Sequence, residues 1–84
     1  MYIEYIEKIM FKRGLKRNVI KNKLYKLYTY AEWKLIEISL SAKVKQFNLN
    51  IKQLNNFLLY VGFTILSQYK LTEYDINNYI TSLI

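Results

Sequence analysis

The stretch YTYAEWKLIEISLSAKVKQF, Tyr28 to Phe47, decides the fold because two periods can be read in it. Ile36, Ile38, Leu40, Ala42 and Val44 alternate with Glu37, Ser39, Ser41, Lys43 and Lys45, the pattern of a half-buried strand. Trp33, Ile36, Leu40, Val44 and Phe47 also recur at three- and four-residue spacings, the pattern of a narrow helical face. Thr29 and Glu32 have the spacing of a capping box, which satisfies two amides left open at a helix start. Tyr28 and Trp33 then stand at the staple positions. The box, the stripe and the length favour a helix, with a strand over 34–45 as the alternative.

Helical spacing continues on both sides. Tyr2, Ile6 and Ile9 mark a first helix over Tyr2 to Arg13, and Ile20, Leu24 and Leu27 a second over Leu15 to Tyr28, with Lys16, Lys23 and Lys26 on a neighbouring face. Ile51, Leu54, Leu58 and Val61 define a fourth helix ending near Gly62. Phe63 to Tyr69 either continues it or forms a short extended segment. Thr72 and Asp75 open a fifth helix, with Leu71 and Ile76 as its staple and Ile76, Ile80 and Leu83 as its buried stripe. Proline is absent, and Gly14 and Gly62 are the two glycines, each placed where a left-handed residue could end a helix. The expectation is one all-α domain over residues 1–84, with four to five short helices.

Of the 84 residues, 52% are apolar and 17% aromatic, more apolar surface than one small core absorbs. A homodimer is therefore expected, paired through aromatic-rich faces that include parts of Phe57 to Leu66. That near-apolar run is about half of the roughly 20 residues a membrane-crossing helix needs, so no transmembrane segment is expected. Glu4, Glu7 and Lys8 interrupt the N-terminal region in a way that does not match a secretory signal, and a cytoplasmic location is expected.

Cysteine and histidine are both absent, which excludes thiol nucleophiles, imidazole bases, disulfides and zinc sites built from those residues. The six carboxylates are scattered: capping accounts for Glu32 and Asp75, and a first helical turn for Glu4 and Glu7. Phosphate-cradling glycine motifs are missing, and Ser39 or Ser41 near Lys43 is ordinary helix-surface chemistry. A non-enzymatic protein without a cofactor is expected.

The net charge is +7, and Lys8, Lys12, Arg13, Lys16, Arg17, Lys21, Lys23 and Lys26 follow one another with no acid between them. Such clustering is the footprint of a phosphate-backbone binder, since neutralising phosphates releases condensed counterions. Lys12, Arg13, Lys16, Arg17, Lys21, Lys23 and Lys26 are the candidate nucleic-acid contacts, with Asn18, Asn22 and Lys21 able to reach base edges. Tyr25 is the tyrosine beside this segment most free to stack on a base. The competing readings are a solvated face in a chain rich in residues of AT-rich codons, and attraction to an anionic membrane or acidic protein. The leading expectation is a DNA-binding accessory or transcription-regulating protein, acting on double-stranded DNA, from an AT-rich phage, plasmid or virus. The alternative is a homodimeric helical protein-interaction module, such as a virion component or an inhibitor of a host factor.

Tyr28 to Leu54 resembles the helical part that follows the winged helix in MerR-type regulators, where a Tyr-Thr helix start leads to a Phe-x-Leu turn. Here Phe47-Asn48-Leu49 has no preceding glycine, and no helix-turn-helix and wing stand ahead of Tyr28. Ile51 to Leu83 is similar to the helical core-binding domain of tyrosine recombinases, in its Phe-Leu cluster and its Leu71-Thr72-Glu73 helix start. Neither resemblance carries a catalytic signature, and neither assigns a role to a residue.

Overall fold

The computed structural model describes residues 2–67 and 69–84. Among them the chain forms five helices and no strand: α1 (Tyr2–Lys12), α2 (Val19–Leu27), α3 (Tyr30–Gln46), α4 (Ile51–Leu66) and α5 (Glu73–Leu83). The ambiguous stretch is helical. Trp33 and Leu40 are buried, and Ile36 and Val44 half-buried, whereas Ile38 and Ala42 of the alternating pattern face outward. No helix among the described residues is long and apolar enough to cross a membrane.

The α3 capping box is present, with Glu32 N–H donating to Thr29 Oγ1 at 3.2 Å and Thr29 N–H to Glu32 Oε1 at 2.8 Å. The Thr29 backbone N–H first, then the Thr29 hydroxyl and the Lys70 ammonium, hold the Glu32 carboxyl below its usual range. The staple is also present, with the Tyr28 and Trp33 rings 6.4 Å apart. Tyr28 is buried, and its hydroxyl accepts a hydrogen bond from Leu71 N–H, tying the approach to α5 to the start of α3. Burial pushes the Tyr28 hydroxyl up from the usual phenol range. Thr72 and Asp75 form the expected box on α5, and Asn50 and Gln53 form a further box on α4, made of amides.

Two helix ends differ from expectation. Residues 15–18 precede α2 instead of belonging to it, and Asn18 takes a left-handed φ of 63° without a side-chain cap. The reason is the geometry that ends α1. Gly14, at φ +94°, donates to Phe11 O while Leu15 donates to Met10 O, and this turn carries the chain out of the helical path. Asn48, at φ 48°, ends α3 with the same bond pattern, through Asn48 N–H to Lys45 O and Leu49 N–H to Val44 O.

The second difference is Gly62, which terminates nothing: α4 runs through it, so Phe63 to Leu66 continue the helix, while Ser67 lies in a turn, Tyr69 has no regular structure and residue 68 lies outside the described residues. α4 is central, packing closely on α1, α2 and α5. Phe57, Leu58, Leu59, Val61, Gly62 and Ile65 are all buried, so most of the apolar run lies in the protein's own core, with Tyr60 and Phe63 facing outward. A Cβ on Gly62 would lie 2.3 Å from Met10 Cε and 3.0 Å from Ile6 Cγ2, both on α1. This glycine is there for close approach of two helices.

Gly62→Ala gains about 1 kcal/mol of helix propensity but overfills a closed core, which costs about 1–3 kcal/mol. A net loss of about 1 kcal/mol is expected in urea denaturation. Met10→Ala should then cost less in the Gly62→Ala background than in the parent, because it vacates the space the new methyl needs. Additive effects would exclude this contact as the constraint.

Candidate functional site

α1 forms a ridge between two depressions. On one side α1 and α4 enclose a groove of about 550 Å³, rimmed by Lys8, Lys12 and Arg13 from α1 and its C-terminal turn and by Lys52 from the first turn of α4. All four side chains are exposed, and among the described residues no carboxylate lines the groove. Ile9 and Leu59 supply apolar wall, and Tyr5 OH donates to Asn55 Oδ1 at 2.7 Å across the helix pair. On the other side a shallower depression of about 260 Å³ is lined by Glu7, Lys8, Phe11, Arg17 and Asn18. There the Arg17 guanidinium sits 5.6 Å from the centre of the Phe11 ring, a cation–π contact that orients it.

Glu7 is the acid that borders this second depression, and its oxygens are engaged. Asn18 N–H donates to Oε2 at 3.1 Å and Lys21 N–H to Oε1 at 2.6 Å, so α1 caps the N-terminus of α2. Glu37 of α3 does the same for α1, accepting from Tyr2 and Ile3 N–H at 3.3 Å each. With Glu32 and Asp75 in their boxes, four of the six carboxylates accept from amides at helix N-termini, and the other two, Glu4 and Glu73, lie in the first turns of α1 and α5. Among the described residues no three carboxylates gather as metal ligands.

The candidate cations fall into three groups. Lys12 and Arg13 join the α1–α4 groove, while Lys16 and Arg17 occupy the exposed link before α2. Lys21 and Lys23 lie half-buried on opposite flanks of α2, since a helix turns about 100° per residue. Lys26 is exposed with Asn22 and Tyr25, the latter 62% accessible. The lysines of α2 thus surround its outer face and do not form one stripe. Lys8 and Lys52 complete the groove but are missing from the sequence-derived set. Lys8 belongs to the basic run, whereas nothing local marks Lys52.

No family model matches the chain, and no curated protein or solved structure matches it. What the surface can do chemically therefore rests on its geometry: exposed cations around an apolar-walled groove can hold an anionic chain.

Glu7→Ala removes an acceptor from two backbone amides and should cost about 0.5–2 kcal/mol, the range for a lost N-terminal cap. Glu7→Gln, which keeps one carbonyl oxygen, should cost less. Urea melts give the order, and amide exchange at Lys21 should accelerate in Glu7→Ala; unchanged exchange would show that this cap holds nothing in place.

Proposed function

We propose that this protein is a non-enzymatic nucleic-acid-binding accessory or regulatory protein that acts in the cytoplasm as a homodimer and grips the phosphate backbone of duplex DNA. Its place is in an AT-rich phage, plasmid or viral system. The observation that carries the reading is the convergence of Lys8, Lys12, Arg13 and Lys52 on one groove, with no carboxylate among the described residues of its lining. Lys16 and Arg17 extend the positive surface around the end of α1, and α2 adds Lys21, Lys23 and Lys26 around exposed Asn22 and Tyr25. Phosphate contacts fix position, and the amide and the ring are the groups suited to base contact.

A protein-interaction module is the second reading, favoured by the exposed Leu35 and Ile38 of α3. A stoichiometric protein partner that survives nuclease treatment would prefer it.

Fluorescence anisotropy with a mixed-sequence duplex, titrated at several salt concentrations, tests the nucleic-acid reading. The logarithm of the association constant should fall linearly with the logarithm of salt. Replacing Lys8, Lys12, Arg13 and Lys52 together by Gln should flatten the slope by about 0.9 for each phosphate that is no longer neutralised. Each exposed change should alter stability by no more than about 0.5 kcal/mol. Absence of binding at low salt would end the proposal, and full affinity in the fourfold variant would move the contact surface elsewhere.

A further inference from the structure

α3 is the longest helix among the described residues, at 17 residues, yet Trp33 and Leu40 are its two buried side chains. Its helix-to-helix packing is also looser than that of α1, α2 and α5, each of which lies close against α4. Opposite Trp33 and Leu40, Ala31, Leu35, Ile38 and Ala42 follow at spacings of four, three and four residues, placing them on one outward stripe. Leu35 is 68% and Ile38 65% accessible. A helix apolar on two opposite faces has one face for its own core and a second for a neighbour.

We propose that the neighbour is a second copy of this chain, with the two α3 helices packed antiparallel so that Leu35 of each faces Ile38 of the other. The inference rests on the homodimer reading above but moves its surface from the Phe57 to Leu66 run, most of which is buried in the chain's own core, to α3, and gives its register. Three features select this arrangement. The stripe is self-complementary about its midpoint, setting Ala31 against Ala42 across the pair, and these small residues allow close approach around the larger central pair. Glu32, whose exposed carboxylate already accepts from Thr29 N–H and pairs with Lys70 at 3.4 Å in its own chain, lies on the same flank of the helix as Lys43 at the opposite end. Antiparallel pairing therefore adds the other copy's Lys43 near the level of that acid, where parallel pairing would set Glu32 beside Glu32. Lys45, which continues the stripe, would meet its own equivalent in a parallel pair and is kept from it in an antiparallel one. A single helix pair is smaller than the roughly 1,200–2,000 Å² of a standard stable interface, so the association belongs in the micromolar range.

Sedimentation velocity on the full chain, freed of nucleic acid and run from about 1 μM to about 1 mM, should show a monomer–dimer equilibrium. Leu35→Glu and Ile38→Lys should each raise the dimer dissociation constant at least about tenfold, because a charge is driven into the seam. Both positions are exposed in the monomer, so circular dichroism and the thermal midpoint should stay close to the parent's. An equimolar mixture of the two variants should recover association, since the antiparallel register sets the introduced acid of one chain against the introduced base of the other. A monomer throughout, or a dimer indifferent to both substitutions, overturns the proposal. Two monomeric variants that fail to rescue each other overturn the antiparallel register. None of these outcomes bears on phosphate binding, which the duplex titration reads separately.

Discussion

Gly62 lets α1 approach α4 until Met10 Cε and Ile6 Cγ2 fill the volume a side chain would need. Met10 and Ile6 are buried, and so are Phe57, Leu58, Val61 and Ile65 around the glycine on α4. A core close-packed on this scale transmits a shift of one helix to its neighbours. If α1 moved outward, Glu7 would leave the amides of α2 and the N-terminus of α1 would leave Glu37. The α1–α4 groove would also lose its walls, because Lys12 and Lys52 are set by the separation of those two helices. The close approach of α1 to α4 at Gly62 and the surface chemistry are therefore one geometric problem.

Capping explains how a chain of net charge +7 gathers its positive field. Each of the five helices among the described residues receives side-chain acceptors at its N-terminus: Glu37 for α1, Glu7 for α2, Thr29 for α3, Asn50 for α4 and Thr72 for α5. The helix dipole favours negative charge at those ends, and all six carboxylates are located there, Glu4 and Glu73 in the first turns of α1 and α5. Basic side chains obey no such constraint, and those at the end of α1 sit where the dipole favours them. The separation of acids from cations thus follows in part from what makes the helices stable, and the groove inherits the result.

The parts legible in the sequence are those fixed within a few residues. Thr29 with Glu32, Thr72 with Asp75, and Gly14 act on amides or dihedral angles of their own segment, and each does what its spacing implies. The Asn50–Gln53 box is equally local but lies hidden in its amide form. Gly62 misleads because a glycine that ends a helix and one that admits a neighbouring helix look alike until the neighbour is known. The start of α2 is displaced for a related reason: its cap comes from Glu7, on another helix, and its own first turn contains no acid. At the candidate site the basic run is evident from spacing alone. Lys52 is not, since it reaches the groove through tertiary packing.

The two surfaces of the molecule are separated by the length of α1. Glu37 anchors the first amides of that helix to α3, while its last residue, Lys12, stands on the basic groove. Eleven residues at 1.5 Å each set these ends about 16 Å apart. Glu37 lies on the side of α3 away from Leu35 and Ile38, so α1 joins α3 without covering the apolar stripe. The alternating pattern that makes Tyr28 to Phe47 ambiguous has the same origin. A helix apolar on two opposite sides places hydrophobic residues close enough in sequence to imitate a strand, and Ile38 and Ala42 complete the alternation because they belong to the outer face. What reads as a conflict between two secondary structures is one helix with two apolar faces, the inner one holding the core and the outer one left open.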